Sequence, residues 1–407
     1  MYSIMKDKNE GLKKHVIQFT RELVRTPSMS LKEADLSKRI ESKMKELKYD
    51  KVFSDDAGNV VGVILGRQSE PSVLLNSHMD TVDFGDEKNW THAPFSADIE
   101  NGKMYGLGTA DCKSGLAAQI YAGALLKRCL FPLKGNLIVA ATVAEENGRS
   151  VGVRELIERT IPSLGMRPDY AILGDPTGLG IYYGHDGWME MEIQVKGDNP
   201  FLVNDASLAI YDDFDSLDLQ QDQANNNAVY KPIFSENDGI RNAKIKLNRR
   251  LHLKDDCNNI INHVEHNATM VAQAYGNVAV DVAVRQETQK MYNGQTTVVN
   301  HITNAWSLDP FHTLMDRSRE TLAAADCEVR PGKWELGRLG MGTAGSLLVT
   351  EYDIPAIGYG PGEESLAHGC NEYVDVDQIS EAVYGTAVIV QGLIGSPIFG
   401  WTSDDDI

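Results

Sequence analysis

An α/β fold is predicted: a mixed, largely parallel sheet flanked by helices, interrupted by a smaller inserted α+β domain. Two observations carry that prediction. Short apolar runs alternate with segments of helical periodicity over residues 1–186 and again over 305–407, which is the pattern of a layered α/β domain. Between them, over 187–304, the pattern shifts toward the period-two alternation of a half-exposed antiparallel sheet.

Leu12, Val16, Phe19 and Leu23 recur at helical spacing, as do Leu36, Ile40, Met44 and Leu47. Ser30-x-x-Glu33 ahead of the second set reads as a capping box. Strand-like runs follow at Val60–Leu65, Val73–Asn76, Leu137–Val143 and Tyr170–Leu173, with a helix from about Ser114 to Lys127. From Trp188 to Val195 apolar and polar residues roughly alternate. No basic residue stands between Lys196 and Lys231, while Asp198, Asp205, Asp212, Asp213, Asp215, Asp218 and Asp222 accumulate beside Asn225, Asn226 and Asn227. This stretch reads as an exposed, partly mobile acidic segment, since its spacing does not match a calcium loop. Strand-like runs resume at Ala243–Leu247 and Val278–Val284. Beyond them come helices at 311–325, 343–350 and 377–393, with a strand at Ile354–Gly358.

Composition narrows the function. Over 407 residues, 42% hydrophobic and 24% charged, there is room for more than one core. A formal charge of -19 argues against nucleic acid and anionic membranes as partners, because both would repel it. No apolar stretch reaches membrane-spanning length, and Met1 to Lys14 lacks the apolar core of a signal peptide. Five scattered cysteines show no Cys-x-x-Cys spacing, which argues against a disulfide framework or thiolate zinc site and for the cytoplasm.

Ionisable residues gather at predicted strand ends, where open α/β sheets build their sites. His78 and Asp80 follow one strand, Glu145 and Glu146 another, and Asp175 a third; Asp111 sits in the glycine-flanked turn 108–115 before a helix. A histidine oriented by a carboxylate makes a good metal ligand. Gly340-Met341-Gly342-Thr343-Ala344-Gly345 matches a dinucleotide-loop pattern only formally, because no clear strand feeds it. His15, His92 and His185 read as structural or surface residues, with His185 the nearest of them to the site.

Taken together, segments 77–82, 108–115, Glu145-Glu146-Asn147-Gly148, Gly174-Asp175-Pro176-Thr177, and Gly360-Pro361-Gly362 with Ala367-His368 resemble the di-zinc amidohydrolase and peptidase family of acetylornithine deacetylase, succinyl-diaminopimelate desuccinylase, aminoacylase and carboxypeptidase G. The resemblance implies a zinc-peptidase-like fold with an inserted lid and dimerisation domain. It implies hydrolysis of the amide bond of a small N-acyl amino acid or dipeptide, by a deacetylase- or dipeptidase-type enzyme holding two Zn²⁺, with Co²⁺ or Mn²⁺ as substitutes. It assigns His78 and Asp175 to one metal, Glu146 and His368 to the other, and Asp111 to both. Asp80 would support His78, and Glu145, turned away from Glu146 in extended chain, would be the general base. It further implies a non-proline cis peptide at Asp111-Cys112, with Cys112 a buried thiol rather than a ligand.

For the substrate, the resemblance points to Arg250 as a carboxylate ligand, although the expected Asp-x-Arg reads Asn248-Arg249-Arg250. Gly342, Thr343 and Gly360 would line the pocket through backbone groups. Asp175, where deacylases and carboxypeptidases of this family tend to carry glutamate, keeps dipeptides among the substrates. The clearest departure follows Gly197: the family's lid histidine has no counterpart in 197–204. Losing one oxyanion donor typically costs about 10²–10³ in rate, so a fold-retaining metal-binding protein with weak or no catalysis is the alternative reading.

Overall fold

Apolar runs too short for helices form the central sheet. In the computed structural model, which describes residues 1–147, 149–221, 228–327 and 339–396, six strands lie in the order Lys51–Ser54, Val60–Ile64, Leu137–Thr142, Val73–His78, Tyr170–Leu173, Ala356–Gly358. The last four are mutually parallel, and the first two are antiparallel at one edge. Every residue of Val60–Ile64, Val73–His78 and Leu137–Thr142 is buried, which explains their continuous apolar runs. The fold is therefore of the α/β class, with a mixed, largely parallel sheet.

Helix Ser114–Cys129 is buried from Ser114 to Leu126 and is tied to the sheet by polar bonds. Ser77 Oγ donates to Gln119 Oε1 at 2.9 Å, and Gln119 Nε2 donates to the Ile172 carbonyl at 3.0 Å. Val16, Phe19 and Leu23 are buried on helix Lys13–Val24, and Leu36, Ile40 and Met44 on Ala34–Glu46. The later helices run Thr313–Ala324, Gly345–Thr350 and Val376–Ile394, within about two residues of their predicted ends, as is usual for fraying termini.

The chain divides into two units, one made of 1–185, 289–297 and 307–407, the other of 186–288 and 298–306. Against the expected single insertion at 187–304, the chain re-enters the larger unit at Gln289–Thr297. Tyr292 anchors that excursion, its hydroxyl lying 2.8 Å from the Gly58 carbonyl and 3.0 Å from Ser37 Oγ. No hydrophobic period marks such a short return, so the sequence carries no signal for it.

The inserted unit is an antiparallel sheet ordered Ala228–Val229, Ile240–Leu251, Gly187–Gly197, Ala279–Val284. Met189, Met191, Ile193 and Val195 face its core while Trp188, Glu190, Glu192 and Gln194 are half-buried. Its helices corrected one expectation. The stretch 198–227, read as an exposed acidic segment, forms helix Pro200–Gln221 over its described part. Val203, Ala206, Ile210 and Phe214 recur at helical spacing and are buried, while Asp205 and Asp212 face solvent. The acidic face masked the apolar stripe; Asp222 and Asn225–Asn227 lie outside the described residues.

Candidate metal centre

His78 is the last residue of its strand and Asp80 lies just past it. The His78 Nδ1 atom stands 2.9 Å from the Asp80 backbone carbonyl and 3.5 Å from its Oδ1. That leaves Nε2 directed at Asp111 Oδ1, 3.1 Å away. The support expected from the Asp80 carboxylate thus comes first from its backbone. The carboxylate instead accepts the N–H groups of Glu145 and Glu146 at 3.0 and 3.1 Å.

Asp111 reaches this place on a turn held from outside. Gly108 adopts φ +78°, a left-handed value open to glycine. Glu372, 1% exposed, accepts the N–H of Gly108 on one oxygen and those of Ala110 and Asp111 on the other, at 2.9, 2.6 and 2.9 Å. A Cβ on Gly115 would overlap the Gly174 carbonyl oxygen, so glycine there lets the helix start against the strand end that carries Asp175. The Asp111-Cys112 peptide is cis.

Two groups of donors result. His78, Asp111, Cys112 and Asp175 form one and Asp111, Glu146 and His368 the other, each with ligand atoms within 4.8 Å of one another. Asp111 belongs to both. Its Oδ2 lies 3.1 Å from His368 Nε2, which is 2.9 Å from Glu146 Oε1. Burial pushes the Cys112 thiol up to about 12, and its sulfur donates toward the His78 carbonyl.

The electrostatics test whether these residues suit cations. Burial raises Glu145 to about 8, against the pull of His78 and with help from Glu146 and Asp80. Asp175 is likewise pushed up to about 7, by burial and then by Asp111 and Glu146 against His78. Among the donor carboxylates, Asp111 is held below the usual carboxylate range, because the His368 and His78 imidazoles outweigh its burial. Hydrogen bonds to Asp111 and Glu146 push His368 up to about 11, which reflects how strongly this cluster attracts positive charge. Carboxylates crowded this closely are stable as anions only beside cations. The donor set, imidazole plus carboxylate with one shared carboxylate, fits two divalent ions.

Glu145 and Glu146 do not stand in extended chain as expected. Strand Leu137–Thr142 ends before them, and Ala144 takes a left-handed φ of +52°. The turn, rather than strand alternation, separates the two side chains. Glu146 joins His368, and Glu145 Oε1 accepts from Ser150 Oγ at 3.2 Å.

Other expected residues fall as follows. Gly360 packs on the backbone of Gly174 and Asp175, where a Cβ would meet both carbonyl oxygens at 2.5 Å, and its N–H donates to Thr177 Oγ1 at 3.0 Å. Thr343 is buried and its N–H donates to His185 Nε2 at 2.9 Å, while Gly342 is exposed. Arg250 lies on the inserted unit, its Nε 3.8 Å from Asp186 Oδ2.

Sequence reasoning missed Glu372, for which adjacency to the 368 region was the sole signal, and Lys113. Burial pulls Lys113 down to about 7, and its ammonium donates to the carbonyls of Leu23 and Thr26 at 3.1 and 2.9 Å. It also misplaced Ser30 and Glu33. Helix Ala34–Glu46 has Glu33 at its N-cap with no side-chain cap bond, so the capping box is not made.

Glu33 carries a pH signature. Burial first, and the Asp80 charge second, raise it from 4.5 to about 7. The folded protein therefore keeps a proton that the unfolded chain has released, so this group's stability contribution is full below about pH 4.5 and falls as pH rises to about 7. Glu33→Gln, which cannot ionise, is expected to gain stability relative to the parent across that window. Urea unfolding of both proteins at the two ends of the window checks this; a constant difference would contradict it.

The sequence model of peptidase family M20/M25/M40 matches residues 74–391. The chain belongs to this family. Among curated relatives, the uncharacterized protein YgeY of Escherichia coli K12 is 31% identical over 196 residues, 48% of this chain and 47% of that protein. A probable succinyl-diaminopimelate desuccinylase of Staphylococcus aureus is 34% identical over 144 residues, 35% of this chain and 34% of the relative. The chain thus spans about half, or less, of the length of the curated relatives it matches. The dipeptidase Dug1p of Saccharomyces cerevisiae superimposes with a TM-score of 0.68 at 15% identity, covering 97% of this chain and 98% of its own. That likeness establishes an M20-type fold. No described helix is long and apolar enough to cross a membrane.

Proposed function

We propose that this M20 chain is a metal-dependent hydrolase that cleaves the amide bond of a small N-acyl amino acid or dipeptide. One observation carries the reading: two donor groups share Asp111, with the half-buried Glu145 beside them. The desuccinylase relative and the dipeptidase-like fold supply the two substrate classes. His78 and Asp175 would hold one ion and Glu146 and His368 the other, with Asp111 common to both. When bound, two divalent ions, Zn²⁺ by the donor set, supply Lewis acidity at the scissile carbonyl.

Glu145 takes the proton of the attacking water and passes it to the leaving amine. Its upward shift to about 8 brings it nearer the operating pH at which one group can serve as base and then as acid. Asp80 holds Glu145 and Glu146 through their N–H groups. Arg250 is the proposed partner of a substrate carboxylate, a role suited to a guanidinium fork. Gly342, Thr343 and Gly360 are the proposed pocket lining. We assign the protein to the cytoplasm, in keeping with its five free cysteines. A homodimer through the inserted unit follows the same family reading.

The test is a panel of N-acyl amino acids and dipeptides assayed with metal-replete protein. Hydrolysis abolished by a chelator and restored by Zn²⁺, Co²⁺ or Mn²⁺ is expected. One observation favours a second reading, a metal-binding protein with weak or no catalysis: helix Pro200–Gln221 occupies the stretch after Gly197, and no histidine stands there. Full metal occupancy with a silent panel would decide for it.

A further inference from the structure

The Ser30–Glu33 pair that caps no helix is built into the centre instead. Ser30 Oγ donates to Asp80 Oδ2 at 2.6 Å. Glu33 Oε1 accepts the N–H of Leu31 at 2.9 Å and of Ala144 at 3.1 Å. With the two oxygens of Asp80 on Glu145 and Glu146, three successive amides, 144 to 146, are held by two acidic side chains from elsewhere in the chain.

Ala144 is where this matters most. It is a fully buried, non-glycine residue in the left-handed region, a conformation that is strained for an L-residue and needs support from its surroundings. Its φ sets the direction in which Glu145 leaves strand Leu137–Thr142. Glu33 is the side chain that holds its amide, and it does so while itself fully buried, with Oε2 lacking a hydrogen-bond partner among the described residues. A residue serving only as a helix cap would turn its oxygen to the helix amides, and Glu33 makes no such bond.

We infer that Glu33 is a positioning residue: through the Ala144 amide it fixes the turn that directs Glu145 at the attacking water. The inference rests on the hydrolase reading for what Glu145 does, and on geometry alone for how it is held.

Two variants separate this role from a helix cap. Glu33→Gln keeps an acceptor oxygen at the same reach. Glu33→Asp keeps a carboxylate and a good N-cap residue but is one methylene too short to meet Ala144. Positioning predicts that Glu33→Asp loses about 10–100-fold in kcat, the scale of a misplacement near 1 Å, with KM and metal content unchanged. Glu33→Gln should stay within about threefold of the parent, since its oxygen still accepts one amide bond. Amide hydrogen exchange at residues 144 and 145 should speed up in Glu33→Asp and not in Glu33→Gln. The opposite ranking, or parental kcat and exchange in Glu33→Asp, overturns the inference. So does a Glu33→Asp chain that cannot fold while Glu33→Gln can, since that outcome assigns a folding role. A parent that hydrolyses nothing sinks the hydrolase reading instead, and the exchange comparison, which needs no turnover, still judges the positioning role.

Discussion

Glu145→Gln is expected to lower kcat by about 10²–10⁴-fold, the range that a general acid–base contributes, with metal content and KM close to the parent values. The amide keeps the volume of the carboxylate and can still accept from Ser150 Oγ, which donates to Glu145 Oε1 at 3.2 Å. What it removes is the site that takes a proton. Glu145 is not in either donor group, whereas its neighbour Glu146 is, so loss of turnover without loss of metal would separate the two roles within one dipeptide. A Glu145→Gln protein with parental kcat would sink the assignment. If metal fell together with turnover, Glu145 would be a ligand rather than the base.

Asp111→Asn is expected to have the other large effect, on metal binding itself. One carboxylate places an oxygen 3.1 Å from His78 Nε2 and the other 3.1 Å from His368 Nε2, and both donor groups depend on it. Asparagine keeps one acceptor oxygen and turns the other atom into a donor, which points its N–H bonds at one of the two ions. Even residues that only support a ligand typically cost about 10–100-fold in metal affinity when changed, so a shared ligand should cost at least that at one site and weaken the other. Titration with Co²⁺ followed by visible absorption, alongside metal analysis, should show the stoichiometry falling from two toward one or less. Two ions bound with parental affinity would contradict the shared role.

Much of this centre could be read from the chain because its chemistry is local to strand ends. Residues 78, 145, 146 and 175 follow buried apolar runs, and each run stops where the sheet does. Asp111 was marked by the glycines around it, whose reason appears in the structure: Gly108 for its dihedral and Gly115 for its contact with Gly174. The acidic helix Pro200–Gln221 was misread because charge density hid an apolar stripe of four residues, Val203, Ala206, Ile210 and Phe214.

The supports around the ligands were illegible for a different reason. Glu372 holds a turn 261–264 residues away in sequence, and Glu33 holds Ala144 across 111 residues. A carboxylate that accepts backbone N–H groups leaves no periodic or spacing signal, because any acidic residue anywhere in the chain could do it. Ser30-x-x-Glu33 even carried a strong local signal, which pointed to the helix beside it.

By itself, then, the sequence determined the α/β class and the alternating strand of the inserted unit, and it singled out the residues proposed as donors. These depend on hydrophobic period and on side-chain chemistry, both of which are local. Tertiary structure alone decided that Asp111 lies between two imidazoles, that Glu145 and Glu146 part at a left-handed turn, and that Glu33 leaves its helix for Ala144. Each of these is a competition among buried polar groups for partners brought from distant segments, and its outcome exists only once the chain has closed around them.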